Sequence, residues 1–437
     1  MTIDTPEPAE SPATQARVTT PQERKRAFAI LFVCQLAVGM GQTLVFAVLP
    51  PIARDLGMGE FETTMIYSLS AFLWVLTSAF WGRRSDVMGR KPVILIGLLG
   101  FATSTLFFAL VVLAGMQHWV SLTLMFPLLM LARAIFGTFG SGNPPAAQAY
   151  VADRTTRAER ASGVASVGAA FGIGTVVGPG VAAAFSEVHV LAPFFAVSLL
   201  AFISALMIWL YLPERTPPKL KLTERQKNRS SLSWRSPTVL PWIIVGVILS
   251  LSQSVTMQLV AFYFMDTMHV AGENATQMIS VGLMAMAMAT IFAQIGLIQR
   301  FDLSVQFLLR WGAGIMVLAF ILMVFATSYG LLVTSLTLAG LGWGFIRPGL
   351  QAGASLTVSP RDQGAVAGYI GSTGATGHIL NPLIGIPLYH WHPQTPFIFC
   401  IFLMIAIFAF ALWHPAMRDL TQPAEDYEDE EEGIGYR

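Results

Sequence analysis

Residues 82–92 read GRRSDVMGRKP, a short charged stretch between two long apolar runs. The runs before and after it, at 63–82 and 92–114, are about as long as an α-helix that crosses the hydrocarbon core of a bilayer. Similar runs recur along the 437-residue chain, which is 54% hydrophobic and only 12% charged. A soluble domain carries about twice that share of charge. Because a backbone in lipid must satisfy its polar groups internally, these runs predict transmembrane helices and not a β-barrel.

Twelve such helices are predicted, in two six-helix halves of an all-α membrane protein. Those of the first half are expected at 28–50, 63–82, 92–114, 121–144, 162–185 and 192–212. Those of the second half are expected at 239–265, 273–298, 307–327, 329–356, 363–388 and 395–414. The predicted organisation is a disordered tail (1–27), a first bundle (28–212), a linker (213–238), a second bundle (239–415) and an acidic tail (416–437).

Lysine and arginine are distributed unevenly between the two sets of loops. The loops on one side of the membrane hold only Arg54. The loops on the other side, together with both terminal segments and the basic linker, hold most of the remaining lysines and arginines. The positive-inside rule therefore predicts that both termini are cytoplasmic in a multi-pass protein of the cell inner membrane. The formal net charge of +1 gives no reason to expect a nucleic-acid partner.

The two halves resemble each other when the chain is shifted by 203 residues. The shift superposes several glycines and prolines, which carry information about kinks and close contacts. The superposed pairs include Gly137 and Gly340, Pro145 and Pro348, Gly174 and Gly377, and Pro179 and Pro382. Two related six-helix halves predict a transporter architecture with pseudo-symmetry.

Five positions of the charged stretch have a distinctive spacing, namely Gly82, Asp86, Gly89, Arg90 and Lys91. In this spacing the stretch resembles the cytoplasmic loop motif of the major facilitator superfamily, although Val87 stands where a basic residue is usual. The resemblance implies a conformational latch that holds the two halves together in the outward-facing state. The two glycines are expected to permit a close approach and a tight turn. The alternative is a basic loop that only sets the topology.

Helix four carries Leu129, Arg133 and Gly137, which are similar to the family's second motif, with Phe136 in place of the usual glutamine. An arginine at membrane depth is costly unless it faces an aqueous cavity or a partner. The resemblance implies a cavity charge that affects proton coupling. A structural arginine bound to backbone carbonyls is the alternative.

Helix five carries Gly174, Gly178 and Pro179, which resemble the family's antiporter motif, Gly-x-x-x-Gly-Pro. The end of helix one, 41–50, is a partial match to a drug-antiporter motif, with Ala47 at the first proline position. Together these resemblances imply the twelve-helix drug:proton antiporter branch, whose members are exporters. Helix packing by small residues, with no bearing on transport direction, is the alternative.

The resemblance also implies that helices one, four, seven and ten surround the transport path. Trp343, Arg347 and Gln351 are spaced i, i+4, i+8 and should share one helical face, which suits an anionic or hydrogen-bonding ligand. Arg347 could instead snorkel to the interface. The other polar residues of these helices are Gln35, Gln42, Thr43, Arg133, Asn143, Gln253 and Gln258.

Proton carriers are scarce, because no Asp or Glu is expected at mid-membrane depth. The candidates are His378, Asp266 and Asp86, of which histidine titrates in the useful range without much tuning. His378 and Asn381 lie on one face of helix eleven, where a histidine that only packs helices together is the alternative. The positive charges favour an amphipathic substrate with an anionic group, such as a siderophore, an organic acid or a zwitterionic antibiotic.

The predicted function is therefore a proton-coupled antiporter that exports amphipathic small molecules by alternating access. Its expected partners are the small-molecule substrate, protons and membrane lipid, with no nucleic acid, and the protein is expected to be a monomer. An importer of an organic acid or another nutrient is the main alternative, and a receptor or scaffold is a second. No nucleophile–base cluster, metal-ligand spacing or phosphate-binding loop suggests an enzyme, a metal or a cofactor.

Overall fold

The computed structural model describes residues 21–155, 157–186, 188–214, 232–301, 303–359 and 362–415. The helices of the first half are α1 (Pro21–Asp55), α2 (Glu60–Met88), α3 (Arg90–Met116), α4 (Leu122–Ala152), α5 (Arg157–Ser186) and α6 (Ala192–Tyr211). Those of the second half are α7 (Leu240–Met268), α8 (Gly272–Ile291, prolonged by Phe292–Ile298 and Gln299–Phe301), α9 (Val305–Val324), α10 (Tyr329–Leu356), α11 (Gln363–Trp391) and α12 (Thr395–Trp413). The predicted basic linker residues and the acidic tail lie outside the described residues.

Eleven of the described helices are long enough and apolar enough to cross a membrane. The remaining one, α11, is less apolar but has 29 residues, a length of about 43 Å at the rise of an α-helix. The predicted fold class, an all-α membrane protein with two six-helix halves, is confirmed.

Several of the observed helices, α1 above all, extend beyond the apolar runs from which they were predicted. α1 begins at Pro21, seven residues before the start that was predicted at residue 28. Proline is favoured in the first turn of a helix, and Glu23 adds a favourable charge there. Hydropathy marks where a helix enters lipid, whereas backbone hydrogen bonds continue into the polar region.

Contacts divide the chain into two compact units, unit 1 (Met1–Lys221) and unit 2 (Leu222–Arg437). In unit 1, α1 packs mainly on α5, and α3 packs on α4 and α6. In unit 2, α7 packs mainly on α11, and α9 packs on α10 and α12. The division falls inside the segment 213–238 that was predicted to be a linker.

The internal repeat is visible where α4 crosses α2 and where α10 crosses α8. A Cβ atom on Gly137 would collide with the α2 backbone, and one on Gly340 would collide with the α8 backbone. At each crossing a threonine hydroxyl donates to the carbonyl of that glycine, Thr77 to Gly137 at 3.2 Å and Thr290 to Gly340 at 2.9 Å. The shift of 203 residues therefore superposes the two glycines, whereas the threonines that bond to them, Thr77 and Thr290, are 213 positions apart.

α4 is continuous but irregular, and it is longer than the predicted 121–144. An α-helix Leu122–Ile135 passes into a π-helical turn, Phe136–Gly140, before a second α-helix, Asn143–Ala152. Two consecutive prolines, Pro144 and Pro145, follow this turn and lack the N–H groups that a regular helix needs. The π-helical turn accommodates this loss close to Arg133.

Candidate functional site

Arg133 is a buried cation of unit 1. It is 5% exposed, and its guanidinium carbon lies 4.6 Å from the centre of the Phe136 ring, a cation–π contact. Phe136, at the position where the family motif has glutamine, thus covers one face of the guanidinium. Arg133 is also close enough to Tyr67 on α2 for the two groups to interact electrostatically.

The hydrogen-bonding capacity of Arg133 is only partly used. Its Nε atom is buried and has no hydrogen-bond partner within the described residues. No carboxylate in the described part of the chain forms an ion pair with it. A guanidinium has five N–H donors in a planar fork that matches a carboxylate. Arg133 can therefore bind an anionic group that the protein itself does not supply.

The two glutamines of α1 lie seven residues apart, so they share a helical face. Gln35 is buried, and the neighbouring Cys34 contacts Asn143 of α4, whose Nδ2 lies 3.6 Å from the Cys34 sulfur. The Oε1 atom of Gln42 is buried without a partner among the described residues. No hydrogen bond in the described part of the chain joins either glutamine to Arg133.

The predicted antiporter motif lies where α5 crosses α1 with backbone against backbone. A Cβ atom on Gly174 would collide with the carbonyl of Leu36, and one on Gly178 would collide with Thr43. Pro179 has no N–H for the carbonyl of Thr175 four residues earlier. The Thr43 hydroxyl donates to this carbonyl at 3.0 Å and so replaces the missing bond. The motif thus fixes the contact between α1 and α5.

The charged motif 82–92 is helical except at one residue, which corrects its prediction as a loop. α2 ends at Met88, α3 begins at Arg90, and Gly89 between them has φ 99°. Positive φ suits glycine and accounts for the tight turn. A Cβ atom on Gly82 would meet no atom within 4 Å, so the predicted close approach at Gly82 is wrong.

The Arg90 side chain and two backbone nitrogens of this motif bind carboxylates of unit 1. Arg90 pairs with Asp86 at 2.7 Å and with Asp153, at the end of α4, at 3.0 Å. The carboxylate of Glu214, after α6, accepts from the backbone nitrogens of Arg90 at 3.2 Å and Lys91 at 2.8 Å. These nitrogens belong to the first turn of α3, which leaves N–H groups without helical partners. The motif therefore joins α2, α3, α4 and the segment after α6.

Three polar side chains form a hydrogen-bonded chain between α7 and α11 in unit 2, which we call the α7–α11 network. Nε2 of Gln258 lies 2.8 Å from Nδ1 of His378, and Oε1 of Gln258 accepts from Nδ2 of Asn381 at 2.8 Å. The Ser254 hydroxyl lies 3.3 Å from the same Nδ1. Gln258 and Asn381 are fully buried, whereas His378 is partly buried. The network joins His378 and Asn381 through Gln258, whereas Gln253 lies outside it among the described residues.

Asp266, the other predicted proton carrier of unit 2, lies in the last turn of α7. Its carboxylate accepts a short hydrogen bond from the hydroxyl of Tyr389 on α11. Sequence reasoning did not single out Tyr389, because a tyrosine near a helix end is common in membrane proteins. The pair forms a second polar contact between α7 and α11.

The three residues predicted to share a face of α10 differ in burial. Trp343 is buried, and its Nε1 has no hydrogen-bond partner within the described residues. Arg347 and Gln351, one and two turns further along, are exposed. α10 runs unbroken from Tyr329 to Leu356, so the predicted i, i+4, i+8 spacing applies. The free indole N–H is a donor that a ligand could use.

Comparison with protein families and curated proteins gives a consistent result. A family model described as Major Facilitator Superfamily matches residues 31–380. The quinolone resistance protein NorA of Staphylococcus aureus (strain MSSA476) is 25% identical over 385 residues, which cover 86% of this chain and 93% of that protein. Multidrug resistance protein 2 of Bacillus subtilis (strain 168) is 27% identical over 395 residues, covering 88% of this chain and 94% of that protein.

Solved structures share the same fold. One is a bacterial homologue of the human lysosomal transporter Spinster, in an inward-facing and occupied conformation. It matches with a TM-score of 0.67 at 13% identity, over 90% of this chain and 97% of that one. At this identity the match bears on the fold alone.

Proposed function

This chain belongs to the Major Facilitator Superfamily, and we propose that it is a proton-coupled antiporter of the drug:proton branch. It exports amphipathic small molecules from the cytoplasm by alternating access, as a multi-pass protein of the inner membrane with both termini inside. The curated relatives named for quinolone and multidrug resistance support export. The Gly174–Pro179 segment, which resembles the antiporter motif and packs tightly on α1, supports it from the structure.

The substrate class follows from Arg133, the observation that carries this proposal. A buried guanidinium without a protein carboxylate is costly to maintain, and a bound anion offsets that cost. The Phe136 ring against it favours a substrate with an apolar body. We therefore assign to the substrate an anionic or zwitterionic group on an amphipathic frame. The polar groups of Gln35, Gln42, Gln253, Trp343, Arg347 and Gln351 are further candidates for its contacts.

The proton site proposed is His378. It is the partly buried histidine of the α7–α11 network, and its Nδ1 atom lies 2.8 Å from the side-chain amide of Gln258. Asp266 remains the second candidate, through its bond to Tyr389. Exchange of a proton for an anionic substrate couples export to the inward proton gradient.

The decisive experiment is transport by the purified protein in proteoliposomes under an imposed pH gradient. The panel should pair amphipathic carboxylates with lipophilic cations of similar size. Gradient-driven movement of carboxylates against the proton flow, abolished by an uncoupler, is the expected result. Movement of substrate in the same direction as protons would instead indicate the importer of an organic acid or nutrient. No dependence on the gradient would refute proton coupling.

The charged motif 82–92 is proposed to act as the conformational latch. Asp86→Asn is expected to slow transport about tenfold or more, while the temperature of thermal unfolding stays within about 2 °C. A partly exposed ion pair such as Asp86–Arg90 contributes only about 0–1 kcal/mol to stability, so a large effect on rate would reflect the transport cycle. Arg83→Gln, an exposed charge change on the same turn, is the control. Equal transport rates for Asp86→Asn and the unmodified protein would refute the proposal that the motif acts as a latch.

A further inference from the structure

We infer that Gln258 is the positioning residue of the proton site, and that its side-chain amide reverses when His378 gains a proton. The inference rests on the proposed function, in which His378 carries the proton. It identifies the Gln258 amide as the group that contacts the His378 ring. It also explains how protonation of the ring changes the hydrogen bonding of Asn381. It is argued from the hydrogen bonds of the α7–α11 network.

The observed network requires a neutral His378. The Nε2 atom of an amide can only donate, so Nδ1 of His378, 2.8 Å away, must accept and carries no proton. The ring proton is therefore on its Nε2 atom. The orientation of Gln258 is fixed from the other side, because its Oε1 accepts from Nδ2 of Asn381. The orientation of the Gln258 amide thus depends on the tautomer of the His378 ring, and the same amide accepts the hydrogen bond from Asn381.

A second proton on His378 makes this arrangement unfavourable. Nδ1 becomes a donor and faces the Nε2–H of Gln258, so two donors oppose each other at 2.8 Å. Reversal of the Gln258 amide turns Oε1 to the ring and gives a charge-assisted hydrogen bond. The Ser254 hydroxyl can donate or accept, so it fits both states without reversal.

Asn381 must reverse with Gln258, since Nε2 of the reversed Gln258 needs an acceptor. This reversal breaks no bond of the Asn381 oxygen, because Oδ1 of Asn381 is buried with no hydrogen-bond partner within the described residues. It lies against Gly385, where a Cβ atom would collide with it. Reversal exchanges an unpaired acceptor for an unpaired donor at this buried point. Protonation of His378 therefore changes the hydrogen bonding of Asn381, one helical turn further along α11.

The helices that pack on α11 carry few charged residues. α11 packs on α7, α10 and α12, and on these four helices the only Asp, Glu, Lys or Arg residues are Asp266 and Arg347. Asp266 bonds to Tyr389 and lies eight residues, or about 12 Å, along α7 from Gln258. Arg347 is exposed. The remaining titratable groups of these helices are Tyr263, Tyr329, Tyr369, Tyr389, His390 and Cys400.

The test is a pH titration of His378 followed by ¹⁵N NMR of histidine-labelled protein in lipid bilayers. The His378 signals are identified by their loss in His378→Gln. In the unmodified protein the neutral ring should carry its proton on Nε2. Gln258→Leu should lower the titration midpoint by about one pH unit, a tenfold loss of proton affinity, because the protonated ring loses its acceptor. Asn381→Leu, which leaves Gln258 in place beside the ring, should shift the midpoint by less than half as much.

Controls separate this role from damage to packing. Thr256→Val removes a hydroxyl that bonds to the Ser252 carbonyl of its own helix at 3.0 Å, and should leave the midpoint unchanged. If Gln258→Leu folds poorly, the double variant Gln258→Leu, Asn381→Leu removes both hydrogen-bond partners. Removal of both destabilises the protein less than leaving one buried polar group unpaired. Its midpoint should fall as far as that of the single variant.

The outcomes distinguish this inference from the proposed function. An unchanged midpoint in both variants that lack Gln258, or an equal shift in Thr256→Val, overturns the inference even if transport proves to be proton-driven. A shifted midpoint in a protein whose transport ignores the pH gradient supports the role of Gln258 and refutes proton coupling.

Discussion

Gly174→Ala is expected to abolish transport, with at least a tenfold loss of rate and a clear fall in the temperature of thermal unfolding. The change adds a single methyl group. That group would collide with the carbonyl of Leu36 on α1, and backbone atoms cannot move aside as a flexible side chain can. α1 and α5 would have to separate by a few tenths of an ångström or more along their crossing. Transport in proteoliposomes and unfolding in detergent measure the two effects.

A matched control lies two positions before the predicted motif. Gly172 is on the same helix, and a Cβ atom there would meet no atom within 4 Å. Gly172→Ala should therefore retain activity and be neutral or slightly stabilising, since alanine loses less backbone entropy than glycine. Full activity of Gly174→Ala would contradict the tight crossing. Equal losses in both variants would mean that α5 needs glycine for flexibility and not for contact with α1.

The sequence predicted the α1–α5 motif but could not reveal what each residue does there. Glycine spacing signalled close packing, and the structure identifies its partner as the backbone of α1. The bond from Thr43 to Thr175 joins residues 132 positions apart, and only the crossing brings them together. Hydropathy located the spans well, yet it missed the polar first turns of α1, where backbone hydrogen bonds and not lipid decide the helix end.

The α7–α11 network also shows that the sequence does not reveal which polar residues contact each other. Gln253 and Gln258 are equivalent by composition, but they lie about 140° apart around α7, so both cannot face α11. The choice between them requires the orientation of α7 relative to α11, which no local pattern encodes. Glu214 is a similar case, because its acceptor role at the start of α3 involves residues more than 120 positions earlier. The glycine and charge motifs could be recognised from the sequence alone, whereas the residues that they contact are decided by the tertiary structure.

Arg133→Gln is expected to change which substrates are carried. Gradient-driven flux of amphipathic carboxylates should fall by about tenfold or more, whereas flux of lipophilic cations should be retained or increase, because the buried positive charge is gone. Arg133→Lys keeps a charge but loses the planar guanidinium that stacks on Phe136, so it should be intermediate for carboxylates. The ratio of the two fluxes is the measurement, because it cancels differences in the amount of active protein.

Stability separates this role from a structural one. The guanidinium of Arg133 is buried without a carboxylate among the described residues, so its removal should leave the unfolding temperature unchanged or higher. Arg310, whose Nε donates to the carbonyl of Ala411 on α12 at 3.0 Å, provides the contrast. Arg310→Gln should lower the unfolding temperature and leave the flux ratio unaltered. If Arg133→Gln behaves in the same way as Arg310→Gln, then Arg133 is a packing residue, and the anionic substrate class loses its main support.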